Sequence, residues 1–162
     1  MARRLPYRPA HLTQLDMLSR EGRVVAGGPE PDGAYANIFY DVADRAELET
    51  LLDENEFTRA GLFVASAPRA FTEFLPPIER PPLDAGVPVT IVEGAIADRG
   101  QARDGIVELR HSGQVAFGGF FDDEAGLVVV RHADPGESQR IVAKAGGWIV
   151  ERLTARPWSQ TL

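Results

Sequence analysis

Proton chemistry near neutral pH can come from few side chains in this sequence, which has three histidines and no cysteine. His11 opens an apolar repeat that reads as a helix. A histidine in a first helical turn meets the positive end of the helix dipole, which disfavours imidazolium and leaves a neutral ring able to accept a proton. His111 follows Arg110 at a predicted helix C-terminus, where the dipole alone accounts for it. His132 ends a predicted strand beside Asp134 and is expected to be solvated. No HxH, HxxxH or HExxH spacing occurs, so neither a metal nor another cofactor is expected. Gly27-Gly28-Pro29 precedes no helix and no Lys-Ser/Thr pair, so it is not a phosphate loop. Tyr35, Phe39, Tyr40 and Trp148 either line a flat apolar pocket or fill the core.

These residues need elements to hold them. Leu12, Leu15 and Leu18 recur at a spacing of three and predict a helix over 9–21, with Pro9 in its first turn and Gly22 at its end. Strands are expected over 23–27 and 34–42. Asp44 with Glu47 forms a capping box for a helix reaching about Asn55. A strand is expected over 62–67, and a further extended piece over 71–75. Residues 76–88 hold five of the chain's twelve prolines and read as a semi-rigid linker. Beyond it, strands are expected over 89–95, 114–120, 127–131 and 148–153. Helices are expected over 101–111 and after the Asp134-Pro135 cap.

The two halves repeat each other. Gly22–Gly28 aligns with Gly113–Gly119 at an offset of 91 residues, Asp44 with Asp134 at 90, and Gly61–Val64 with Gly147–Val150 at 86. Each half orders strand, helix, strand, strand, helix, strand, the ferredoxin-like arrangement. The first half has only the short, basic Met1–Tyr7 where a first strand should stand. The fold class expected is therefore α+β: two tandem ferredoxin-like units whose antiparallel sheets pack into a pseudo-dimeric α+β barrel. The strands read apolar on both faces, which calls for a second cover. The boundaries are 1–75, a linker at 76–88, and a degenerate second copy at 89–162.

Arg8-Pro9-Ala10-His11-Leu12, Gly22–Pro29 and Asn55–Phe63 together resemble the YciI-like (YCII-related) family. The resemblance covers residues 8–75 well and 89–158 in outline. It implies a dimeric α+β barrel and a site pairing a histidine at the start of the first helix with an aspartate of an Asp-Pro-aromatic motif. His11 matches the histidine. Asn55 takes the aspartate's place, Glu56 stands where proline is usual, and Phe57 matches the aromatic. Asp53 or Glu54 could supply the missing carboxylate if the helix end turns inward. Counting 91 residues on from His11 reaches Ala102, and Val142 or a neighbour replaces the aspartate, so the second copy is expected to be structural.

The resulting expectation is a small cofactor-independent enzyme of lyase, isomerase or cyclase type. It would act on an aromatic or polyketide-like molecule, with His11, Asn55 and Asp53 at the chemistry. Arg8, Pro29, Tyr35, Asn37, Phe39 and Phe57 would contact the substrate. A non-catalytic small-molecule-binding or accessory protein and a cofactor-free oxygenase are the alternatives. Net charge of −7 disfavours nucleic acid and anionic membranes as partners. The lack of cysteine and of an apolar N-terminal run fits a cytoplasmic protein, a monomer or weak homodimer.

Overall fold

The computed structural model describes residues 2–162. The chain is α+β with antiparallel sheets, and it divides into two compact units. No helix among the described residues is long and apolar enough to cross a membrane.

The first unit comprises residues up to Pro68, with Pro81–Gly86 and Gln160–Leu162. A 3₁₀ turn at Ala2–Arg4 stands where a first strand was sought. Helix α1 (Arg8–Arg20) follows, then the antiparallel hairpin of β1 (Val24–Pro29) and β2 (Ala36–Tyr40), then α2 (Arg45–Glu54) and the one-turn α3 (Glu56–Arg59). Leu15 and Leu18 of α1, Leu51 of α2, Val24 of β1 and Leu162 form the core, with Ile38, Tyr40 and Val42 packed against it. Each fully buried leucine contributes roughly 1.5–3 kcal/mol. The terminal residues hydrogen-bond to β1: Thr161 and Leu162 donate to the Gly27 carbonyl at 2.9 and 3.2 Å, and Gly27 donates back to Leu162 at 3.3 Å.

The second unit comprises Arg69–Arg80 and Val87–Ser159. Its five-stranded sheet has the order β3-β5-β6-β4-β7, from β3 (Phe71–Leu75), β4 (Val87–Ala95), β5 (Val115–Phe121), β6 (Ala125–Val130) and β7 (Thr154–Gln160). Without β3 this is the strand order of a ferredoxin-like βαββαβ unit. Helices α4 (Arg99–His111) and α5 (Pro135–Ala145) supply Ala102, Ile106 and Val142 to a core with Val92, Val128 and Val130. Gly119 lets β3 approach, since a Cβ there would lie 2.6 Å from the Phe71 ring.

Corresponding pieces of the two units are built alike. Helices α1 and α4 have the same length, 13 residues. Both end on a left-handed glycine, Gly22 at φ +79° and Gly113 at φ +78°. Each glycine N–H donates three residues back at 3.1 Å. In β1–β2 the pairs run Val24↔Tyr40, Ala26↔Phe39, Gly27↔Ile38; in β5–β6 they run Val115↔Val130, Phe117↔Val129, Gly118↔Val128. The register shift falls at the same place in both hairpins. Asp44 accepts from the Glu47 N–H and Asp134 from the Glu137 N–H, one cap for each second helix.

Two expected strands are corrected. Residues 62–67 form no regular element, whereas the extended piece expected at 71–75 is β3. Residues 148–153 hold a bridge from Trp148 to Ile96 and a 3₁₀ turn, and the strand is β7. In both cases the chain first turns at a left-handed glycine, Gly61 or Gly147, and an irregular segment follows before pairing begins.

Candidate functional site

The first unit gathers its chemistry at the start of α1. Pro9 at the second helical position presets the backbone, and His11 falls in the first turn. The His11 side chain turns inward, leaving the residue only 7% exposed. Its ring stacks on Phe57, with centroids 3.8 Å apart and planes 15° from parallel, and meets the edge of Phe63 at 6.1 Å.

Asn55 is placed by the kink between α2 and α3. It ends α2 with extended backbone, and its Oδ1 accepts from the Phe57 N–H at 2.9 Å to cap α3. That turn swings Phe57 beneath the His11 ring. Gln14 clamps the kink from α1, donating to the Glu54 carbonyl at 2.9 Å and accepting from the Glu56 N–H at 3.2 Å.

Burial holds the His11 pKa down, from 6.5 to about 4. A side-chain hydrogen bond with Asn55 opposes this, and the positive charges of Arg4 and Arg8 add to the lowering. No carboxylate contributes. At pH 7 the ring is therefore neutral. Its Nδ1 is buried with no hydrogen-bond partner among the described residues. An unpaired nitrogen at that depth costs about 1–3 kcal/mol, a penalty a structural histidine would be expected to avoid.

The other sequence-expected residues divide. Phe57 is buried against His11. Arg8 is half-buried and paired in a two-pronged contact with Asp84. Asn37 and Phe39 lie on β2, Phe39 buried, and the Asn37 Nδ2 is also buried without a partner among the described residues. Pro29 ends β1 half-exposed, and Tyr35 is exposed. Asp53 is exposed on α2, and Glu54 is exposed as well, so the helix end does not turn either carboxylate inward. Phe63, Arg4 and Asp84 were not singled out from the sequence as site residues. Phe63 lies within the family-like segment, whereas Asp84 sits in the proline-rich stretch with no local signal at all.

The second unit is built differently at this point. Ala102 is fully buried, and a Cβ on Gly147 would lie 2.3 Å from its backbone nitrogen. Helix and glycine backbone touch there, leaving no room for an imidazole. His111 is exposed at the end of α4. His132 uses Nδ1 to accept from the Asp134 N–H at 3.1 Å, a local turn.

Among known families, the model of the YCII-related domain matches residues 1–71, the stretch that supplies α1, the β1–β2 hairpin, α2 and α3. No curated protein and no solved structure matches the chain. Through these 71 of its 162 residues the chain is similar to the YCII-related domain.

Proposed function

We propose that this chain is a small cofactor-independent enzyme in which His11 is the general base of a lyase, isomerase or cyclase reaction on an aromatic or polyketide-like molecule. The observation that carries this reading is the buried, neutral His11 ring with an unpartnered nitrogen, stacked on Phe57. Asn55 orients the ring, as the third group of a catalytic triad does, although an amide cannot stabilise the imidazolium as a carboxylate would. One positioned base supplies about 10²–10⁴-fold, enough for an acidic C–H next to a carbonyl.

A second reading has its own observation. Asn55 replaces the family's aspartate, and Asp53 is exposed away from the ring, which suits a binding protein that has lost its acid/base partner. Solvent-deuterium exchange at the methylene of an aromatic β-dicarbonyl separates the two. The enzyme reading predicts exchange that His11→Ala lowers by about 10²-fold or more while the far-UV spectrum is unchanged. Equal exchange in both proteins would leave only binding.

We propose further that the second half is a degenerate copy of the first, so that one chain stands in for a homodimer. The matched helix lengths, glycine caps and hairpin registers support this. So does the reciprocal contribution of segments. β3, from the first half of the sequence, pairs with β5, while Thr161 and Leu162, from the second, pair with Gly27.

A further inference from the structure

Asp84 makes a contact that the proposed chemistry does not use. It lies in the Pro81–Gly86 segment of the first unit, far along the sequence from α1, yet its carboxylate meets the Arg8 guanidinium through both oxygens, Oδ2 at 2.9 Å from Nη1. The backbone at Asp84 is left-handed, with φ +64°, a conformation that costs a non-glycine residue about 1–2 kcal/mol. A hydrogen bond from the Asp84 N–H to the Thr161 carbonyl, 2.7 Å, holds it there. Both partners keep about 40% side-chain exposure, so the ion pair is of the weak, solvent-accessible kind that a competing anion can replace.

Arg8 stands three residues before His11, so guanidinium and imidazole share one face of the first turn. Arg4 and Arg8 both direct positive potential at a ring with no carboxylate acting on it. The His11 Nδ1 at this face is buried and unpartnered among the described residues. The carboxylate that answers the positive charge of Arg8 is that of Asp84.

We infer that Asp84 occupies, on Arg8, the place of a ligand carboxylate, so that the His11 site takes aromatic carboxylates and Asp84 must be displaced for them to bind. Arg8 is then a specificity-determining residue, since its planar fork matches a carboxylate in the two-pronged geometry that Asp84 already shows. Displacement frees Asp84 to solvent and leaves the Thr161 hydrogen bond to keep the segment in place.

The inference rests on the His11 region being a ligand site, and its test reads binding rather than turnover. Benzoate is titrated into the intact protein while the His11 ring signals are followed by NMR, with benzamide as the neutral isostere. Asp84→Asn keeps a residue that tolerates the left-handed backbone while removing the competing charge. Wild type should bind benzoate saturably and more tightly than benzamide. Asp84→Asn should tighten benzoate about threefold or more, the factor set by a surface ion pair, and leave benzamide unchanged. Arg8→Gln should weaken benzoate to the level of benzamide. Equal benzoate affinity in wild type and Arg8→Gln, no gain in Asp84→Asn, or no saturable binding by any of the three would overturn the inference. Arg8-dependent benzoate binding in a protein whose exchange chemistry ignores His11→Ala would sustain it while removing the catalytic reading.

Discussion

At the scale of single residues, His11 is acid-sensitive by construction. Its folded pKa lies below its unfolded value, about 4 against 6.5, because burial penalises imidazolium. The unfolded chain therefore takes up the proton first. The stabilising contribution is complete above pH 6.5 and is lost as pH falls toward 4, to a total of about 3 kcal/mol. Urea-unfolding free energies measured between pH 7 and 4 should fall more steeply in wild type than in His11→Leu, by about that amount. Parallel pH profiles would show that the ring is not held neutral. The grouping of His11, Asn55 and Phe57 was legible in the sequence because they sit in short local motifs, His11 after Pro9, and Asn55 and Phe57 around a helix junction. Asp84 was not, because its partner Arg8 lies 76 positions away and nothing within a proline-rich stretch marks one aspartate as paired.

At the scale of elements, caps and glycines decide where the chain turns. Asp44 and Asp134 each cap a helix with one side-chain acceptor, so Asp44→Ala and Asp134→Ala should each cost about 1 kcal/mol in thermal or urea unfolding. Gly147 answers to a stronger constraint. Its φ is +79° and an added Cβ would meet the Ala102 nitrogen at 2.3 Å, so Gly147→Ala should cost well over about 2 kcal/mol. Gly22, with the same φ and open space around it, should lose only about 1–2 kcal/mol on the same change. Equal losses at the two glycines would mean that the α4 packing is looser than described. Helices were legible because leucine spacing and capping boxes are local signals. Residues 62–67 and 148–153 are as apolar as a strand but form none; the extended piece at 71–75 was legible as β3, whereas β7 shows only in its tertiary pairing.

At the scale of the whole molecule, each compact unit includes segments from the other half of the sequence. A protease site inserted beside the exposed Ile78 should, after cleavage, leave two pieces that elute together, since β3 of the first piece lies in the second unit and Pro81–Gly86 and Gln160–Leu162 of the second piece lie in the first. Release of two separately folded halves would contradict this sharing of segments. On the proposed reading of the second half as a degenerate copy that stands in for a partner, light scattering of the uncut chain should give the 17.6 kDa of one copy. Both results concern the scaffold; the central claim is that one residue, His11, is the base. It is tested most directly by the pH dependence of kcat/KM for deuterium exchange in wild type and Asn55→Asp. A carboxylate at position 55 stabilises imidazolium and raises the His11 pKa. The rate, which follows the neutral fraction of the base, should rise through pH 4 in wild type and through a distinctly higher pH in Asn55→Asp. Superimposable profiles in the two proteins would contradict the assignment of His11 as the base.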